Sequence, residues 1–143
     1  MTTLDDIVDI FELLGDWDQR YLYLSEIGEN LSVMGEDYKT EANKVKGCMS
    51  QVWVVAEENE NKITFSGDCD TSIIKGVLAL LIQLCKDRGL EEIERLNVDE
   101  LFERLQLDEH LSPNRHVGVY AIVEQMKQQA RDVIKKRPVA ASR

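Results

Sequence analysis

The chain has 143 residues, 27 acidic and 17 basic, for a net charge of −10. That length fits one domain, and that charge argues against a nucleic-acid binder, which needs a basic face to displace counterions. With 43% apolar residues it can bury a core, yet no apolar run approaches the roughly 20 residues of a membrane span. The acidic start, Met1 to Asp6, lacks the charged-then-apolar layout of a signal peptide, so the sequence reads as cytoplasmic. Three widely spaced cysteines, Cys48, Cys69 and Cys85, do not form a disulfide framework.

Leu4, Ile7, Val8, Phe11 and Leu14 follow helical spacing, with Thr3 and Asp6 as a cap and Gly15 as a stop. Asp16 caps a second helix carrying Trp17, Tyr21, Leu24 and Ile27, with Gly28 and Asn30 as its stop. Ser32 to Ala42 is polar and aperiodic, a loop. Val45–Gly47, Gln51–Glu57 and Lys62–Ser66 read as three short strands, with a hairpin turn near Asn59.

Asp70 or Thr71 then caps a long helix that runs to just before Gly89. Its apolar residues Ile73, Ile74, Val77, Leu78, Leu80, Leu81, Ile82 and Leu84 make too wide a stripe for a surface helix, so it is expected at the centre. Lys86 and Arg88 sit in its expected last turn, where cations suit the helix dipole. Asn97 caps a short helix through Leu101, Phe102 and Leu105. Ser112-Pro113 starts a last helix that Pro138 closes. The order is ααβββααα: an α+β fold with a three-stranded antiparallel sheet packed on helices. It forms one domain over residues 1–137 with a disordered tail at 138–143.

The chain carries no phosphate-binding glycine loop and no nucleophile elbow. Zinc sites want clustered cysteine and histidine, and these cysteines are far apart in sequence. His110 and His116 read as a loop residue and a helix-surface residue, and no metal site is expected. The cysteines differ in setting. Cys85 lies in the apolar helix and reads as core. Cys69 lies between Asp68 and Asp70, which disfavour a thiolate. Cys48 follows Gly47 in a connection between strands, near Lys44 and Lys46, whose charge would favour a thiolate. A loop thiol in that setting is a candidate reactive cysteine, against the alternative of a buried structural thiol.

The segment Val45-Lys46-Gly47-Cys48-Met49-Ser50-Gln51-Val52-Trp53 resembles the G-C-x-S-x-V-W stretch of the SufE family of sulfur acceptors. Gly67-Asp68-Cys69-Asp70 with Ile74-Lys75-Gly76 is similar to its G-D-S-D…V-K-G, and His110-Leu111-Ser112-Pro113-Asn114-Arg115 with Gly118 to its H-L-[ST]-P-x-R-x-x-G. Trp17, Arg20, Tyr21, Leu22 and Gly28 match its N-terminal region, so the resemblance spans residues 4 to 134. It implies the α+β fold shared with iron–sulfur scaffold proteins. It also implies a function: sulfane sulfur is taken as a persulfide on Cys48 from a cysteine desulfurase of SufS type, passed to a scaffold of SufBCD type, and the desulfurase is stimulated. Pyridoxal phosphate belongs to that partner, and the acceptor needs no cofactor.

By the same resemblance Arg115 steadies the thiolate or pairs with an acid on the desulfurase. Asp70, also read as the helix N-cap, joins Lys46 and Gln51 as partner-contacting residues. The chemistry asks for shelter between transfers, so Cys48 is expected at a loop tip over an apolar hollow, swinging outward on docking. Two positions depart from the family: Cys69 stands for its usual serine and Val117 for a common amide residue. Alternatives remain open: a relative serving another desulfurase and pathway such as tRNA modification, or a non-covalent regulator of a desulfurase.

Overall fold

Local caps place the first two helices as the sequence predicts. In the computed structural model, which describes residues 2–135, α1 spans Leu4–Leu14 and α2 spans Trp17–Glu29. Thr3 Oγ1 accepts from Asp6 N at 3.2 Å while Thr3 N donates to Asp6 Oδ2 at 2.9 Å, a reciprocal cap. Asp16 Oδ1 accepts from Gln19 N at 3.0 Å to start α2. Asn30 ends α2 as expected, but Gly28 does not stop it. Gly28 lies buried inside the helix because α2 crosses the next long helix there, backbone on backbone. A Cβ at Gly28 would stand 2.9 Å from Gly76 N, and one at Gly76 would stand 2.2 Å from Leu24 O.

After a loop with one 3-10 turn at Glu36–Tyr38, β1 (Val52–Asn59) and β2 (Lys62–Cys69) form an antiparallel hairpin, from Val52↔Cys69 to Asn59↔Lys62. Its tip is Glu60-Asn61, both with positive φ (52° and 67°), the pairing that matches strand twist in a two-residue turn. The sheet has two strands, not three. The segment expected as a strand at Val45–Gly47 makes one isolated bridge, Lys44↔Trp53, with Val45 N donating to Val52 O and Val54 N to Asn43 O. The ladder stops there because the chain turns on either side: through Thr40–Asn43 before the bridge, and at Gly47 (φ 85°) after it.

The central helix α3 spans Ser72–Cys85, and Ile74, Val77, Leu78, Leu80, Leu81 and Leu84 are buried along it. Each such side chain contributes about 1.5–3 kcal/mol. The helix packs on α2 and β2, and the last helix packs on β1. It ends short of the expected limit before Gly89. Asp87 takes a positive φ (57°), which breaks the helix, and Arg88 O turns back to accept from Ile63 N at 2.8 Å. Lys86 and Arg88 therefore lie beyond the last turn, though Arg88 Nε still caps the carbonyl of Leu84.

A helix absent from the expected order follows: α4, Leu90–Glu94, five residues with Ile93 buried. α5 is Val98–Leu105, capped by Asn97 through Glu100 N at 3.0 Å, and α6 is Pro113–Lys135. The order is thus ααββαααα. The closure at Pro138, the tail at 138–143 and both ends of the expected 1–137 domain lie outside the described residues. Among the described residues, no helix is long and apolar enough to cross a membrane.

Candidate functional site

Cys48 rides the short turn between the Lys44 bridge and β1, and this turn lies on α6. Gly47 makes the bend with φ 85°, and a Cβ added there would meet only Ala121 Cβ at 3.7 Å. The Cys48 sulfur rests against Gly118 of α6, where an added Cβ would stand 2.9 Å from Sγ. The start of the loop is exposed at Lys46 and Gly47. Its far end is bonded to the corner between β2 and α3. Gln51 N donates to Asp70 Oδ1 at 3.0 Å and Asp70 N to Gln51 O at 3.1 Å. Ser50 Oγ lies 2.6 Å from Thr71 Oγ1, which donates to Asp70 Oδ1 at 3.2 Å. Asp70 therefore does not cap α3. Its carboxylate is turned to the Cys48 loop, where a backbone N–H of β1's approach needs a partner.

Cys48 is half-buried and borders a hollow of about 220 Å³ with Met49, Ser50, Thr71, Ile74, Ser112, Asn114 and Arg115. The lining is mixed rather than apolar: Ile74 and Met49 are joined by hydroxyl, amide and guanidinium side chains. Arg115, in the first turn of α6, is half-buried and makes no ion pair with the described residues. The structure thus brings Cys48, Arg115 and Asp70 to one place. Gln51 contributes through its backbone. Lys46 stands apart, engaged at the surface with Glu41 at 2.9 Å.

Electrostatics at Cys48 correct one expectation. Burial pushes its thiol above the ordinary 9.0, Asp70's charge raises it further, and a backbone N–H from Ser50 offsets part of this. The lysines expected to favour the thiolate do not offset this, and Lys46 is turned to Glu41 instead. Cys69 and Cys85 are buried, and burial pushes each up to about 11. For Cys69 the flanking carboxylates add to burial but are the smaller cause. Asp68 itself is held between Lys39 at 3.0 Å and Lys75 at 3.2 Å.

The N-terminal motif residues reach this site through a brace. Trp17 stacks on His110 with ring centroids 3.8 Å apart, Arg20 lies over Trp17, and Tyr21 donates to His110 O at 2.6 Å. His110 thus fixes the turn that leads into Ser112 and Arg115. His116, expected on a helix surface, is half-buried beside Phe102, with Nε2 unpartnered. Thr71 and Gly118 are site residues that sequence reasoning treated only as a cap and a motif letter. Among the described residues no group of three or more His, Cys, Asp or Glu gathers as metal ligands.

Fold and site define a class: a small α+β domain whose one half-buried cysteine sits on a glycine-hinged loop over a helix. The chain matches the SufE family model, an Fe–S metabolism associated domain, over residues 5–130. It is 37% identical over 134 residues to an uncharacterized SufE-like protein of Rhizobium meliloti, covering 91% of this chain and 96% of that one. A second uncharacterized SufE-like protein, of Rhizobium etli, is also 37% identical, over 135 residues, covering 92% of this chain and 91% of that one. In fold it is similar to a hypothetical protein of Thermus thermophilus solved in solution. The TM-score is 0.77 at 17% identity, over 93% of this chain and 96% of that one. The chain belongs to the SufE family, and its role is sulfur transfer tied to iron–sulfur metabolism.

Proposed function

We propose that this protein accepts persulfide sulfur on Cys48 from a SufS-type cysteine desulfurase in the cytoplasm and relays it to a SufBCD-type scaffold, stimulating the desulfurase. One observation carries the assignment: of three thiols Cys48 alone is not buried, and the hollow beside it has room for an added sulfur.

The step is redox-neutral. Cys48 gives up its proton and its sulfur attacks the outer sulfur of the donor persulfide. A new S–S bond forms on Cys48, the donor's S–S bond breaks, and the donor cysteine leaves as a thiolate that takes up a proton. In the resting protein burial and Asp70 hold Cys48 protonated, which protects it from stray oxidants. Outward movement of the loop relieves both effects and frees the thiolate where the donor waits. Arg115 lines the hollow, and in this reading its planar fork meets the anion or a partner carboxylate. Asp70 and Gln51, exposed beside the Cys48 loop, are the proposed contacts for the desulfurase, with Lys46 reaching it from its own surface position by Glu41.

Incubation with a SufS-type desulfurase and cysteine, followed by intact-mass analysis, tests this. A gain of roughly 32 Da, reversed by reductant and absent from Cys48→Ser, is the expected result for thiol exchange. No gain on the wild type with a desulfurase shown to bind it removes the carrier role. Full stimulation by Cys48→Ser would make the protein a non-covalent regulator.

A further inference from the structure

Thr71 does not do what its position predicts. It is the N-cap residue of α3, with extended backbone angles (φ −112°, ψ 122°), yet its hydroxyl makes no bond to its own helix. A threonine at an N-cap ordinarily accepts from a backbone N–H two or three residues on. Here the hydroxyl leaves that task and faces the Cys48 loop. Its single hydrogen goes to Asp70 Oδ1 at 3.2 Å, so at the 2.6 Å contact Ser50 is the donor and Thr71 the acceptor. Ser50 lies two residues after Cys48 on the same turn, so the Ser50–Thr71 bond holds the stretch of chain that carries the sulfur.

These bonds have separate jobs. The paired backbone bonds between Gln51 and Asp70 hold the end of the loop, at the start of β1. The Ser50–Thr71 contact lies one residue nearer the cysteine. It is a side-chain bond, so it can open while the hairpin register stays intact. The remaining hold on the sulfur is its packing against Gly118, which is not directional.

We propose that Thr71 is a positioning residue for Cys48: its hydroxyl, diverted from helix capping, grips Ser50 and keeps the Cys48 sulfur turned into the hollow until a partner takes the loop. This rests on the reading of Cys48 as the sulfur carrier. Thr71 touches no reacting atom and acts only through Ser50.

The test is the rate of Cys48 alkylation by iodoacetamide in the full chain, read by intact mass and peptide mapping at one pH. Thr71→Val keeps the shape and removes the hydroxyl. It is expected to raise the rate about fivefold, the factor one hydrogen bond supplies. Ser50→Ala should raise it as much, the double variant no further, and Thr71→Ser should restore the wild-type rate. That rescue separates positioning from a general loss of stability. Wild-type rates in both Thr71→Val and Ser50→Ala overturn the proposal. Should Thr71→Val fail to fold, Ser50→Ala alone decides, since it lies outside the helix. The measurement uses no desulfurase, so it can fail while sulfur loading of Cys48 succeeds, and the reverse.

Discussion

At Gly76 and at Gly118 the chain gives up a side chain, and what presses on each glycine differs. At Gly76 an added Cβ would stand 2.2 Å from Leu24 O and 2.7 Å from Leu24 C, atoms of the α2 backbone. Neither helix can turn a rotamer to make room. At Gly118 the atom in the way is Cys48 Sγ at 2.9 Å, the end of one side chain on a turn. The first contact locks two helices; the second parks a movable group. The same residue type thus builds rigidity in the core and a resting place at the site.

Substitution separates the two. Gly76→Ala forces α2 and α3 apart, and the strain outweighs the gain in helix propensity, so stability falls by about 2–3 kcal/mol. The denaturant midpoint measures it, and an unchanged midpoint would mean that the crossing is looser than it stands here. Gly118→Ala should leave stability within about 1 kcal/mol, since alanine favours the helix and the loop can yield. Its effect belongs at the cysteine: the sulfur is pushed out of its seat and Cys48 alkylation rises several-fold. A stability loss as large as that of Gly76→Ala, with Cys48 still slow, would show the loop to be as fixed as the core.

This contrast explains which parts were legible in the sequence. Caps are local, so Thr3, Asp16 and Asn97 announced their helices, and the wide apolar stripe from Ile74 to Leu84 announced the central one. Gly28 reads the same whether it ends a helix or lets another helix approach, and only the crossing with Gly76 decides. Val45 carries a strand-like side chain, but strand length there is set by turns on both sides. α4 has no cap signal and is held by burial of Ile93. At the site, the Gly47-Cys48 pair marked the reactive loop. The partners of that loop are distant in sequence: Asp70, Thr71 and Gly118 meet it only after the chain has folded. Charges were misjudged for the same reason, since Lys46 sits two residues from Cys48 and turns to Glu41.

The smallest expected effect tests that last point directly. Alkylation depends on the thiolate, so its rate should keep climbing with pH beyond the range of an ordinary thiol, because burial first and Asp70 second hold the Cys48 proton. Asp70→Asn removes the charge while keeping an acceptor for Gln51 N–H. It should lower the Cys48 value and move the pH profile toward lower pH, giving more thiolate at any pH below the midpoint. The midpoint stays above the ordinary value, since burial, the larger cause, is untouched. Lys46→Ala should move nothing. The other two thiols are buried and pushed up to about 11, and peptide mapping assigns the alkylation to Cys48. A midpoint at or below the ordinary value in the wild type would mean that the loop rests open in solution. The distinction between a locked glycine contact and a parked one would then sharpen further, because the parked group would already have left its seat.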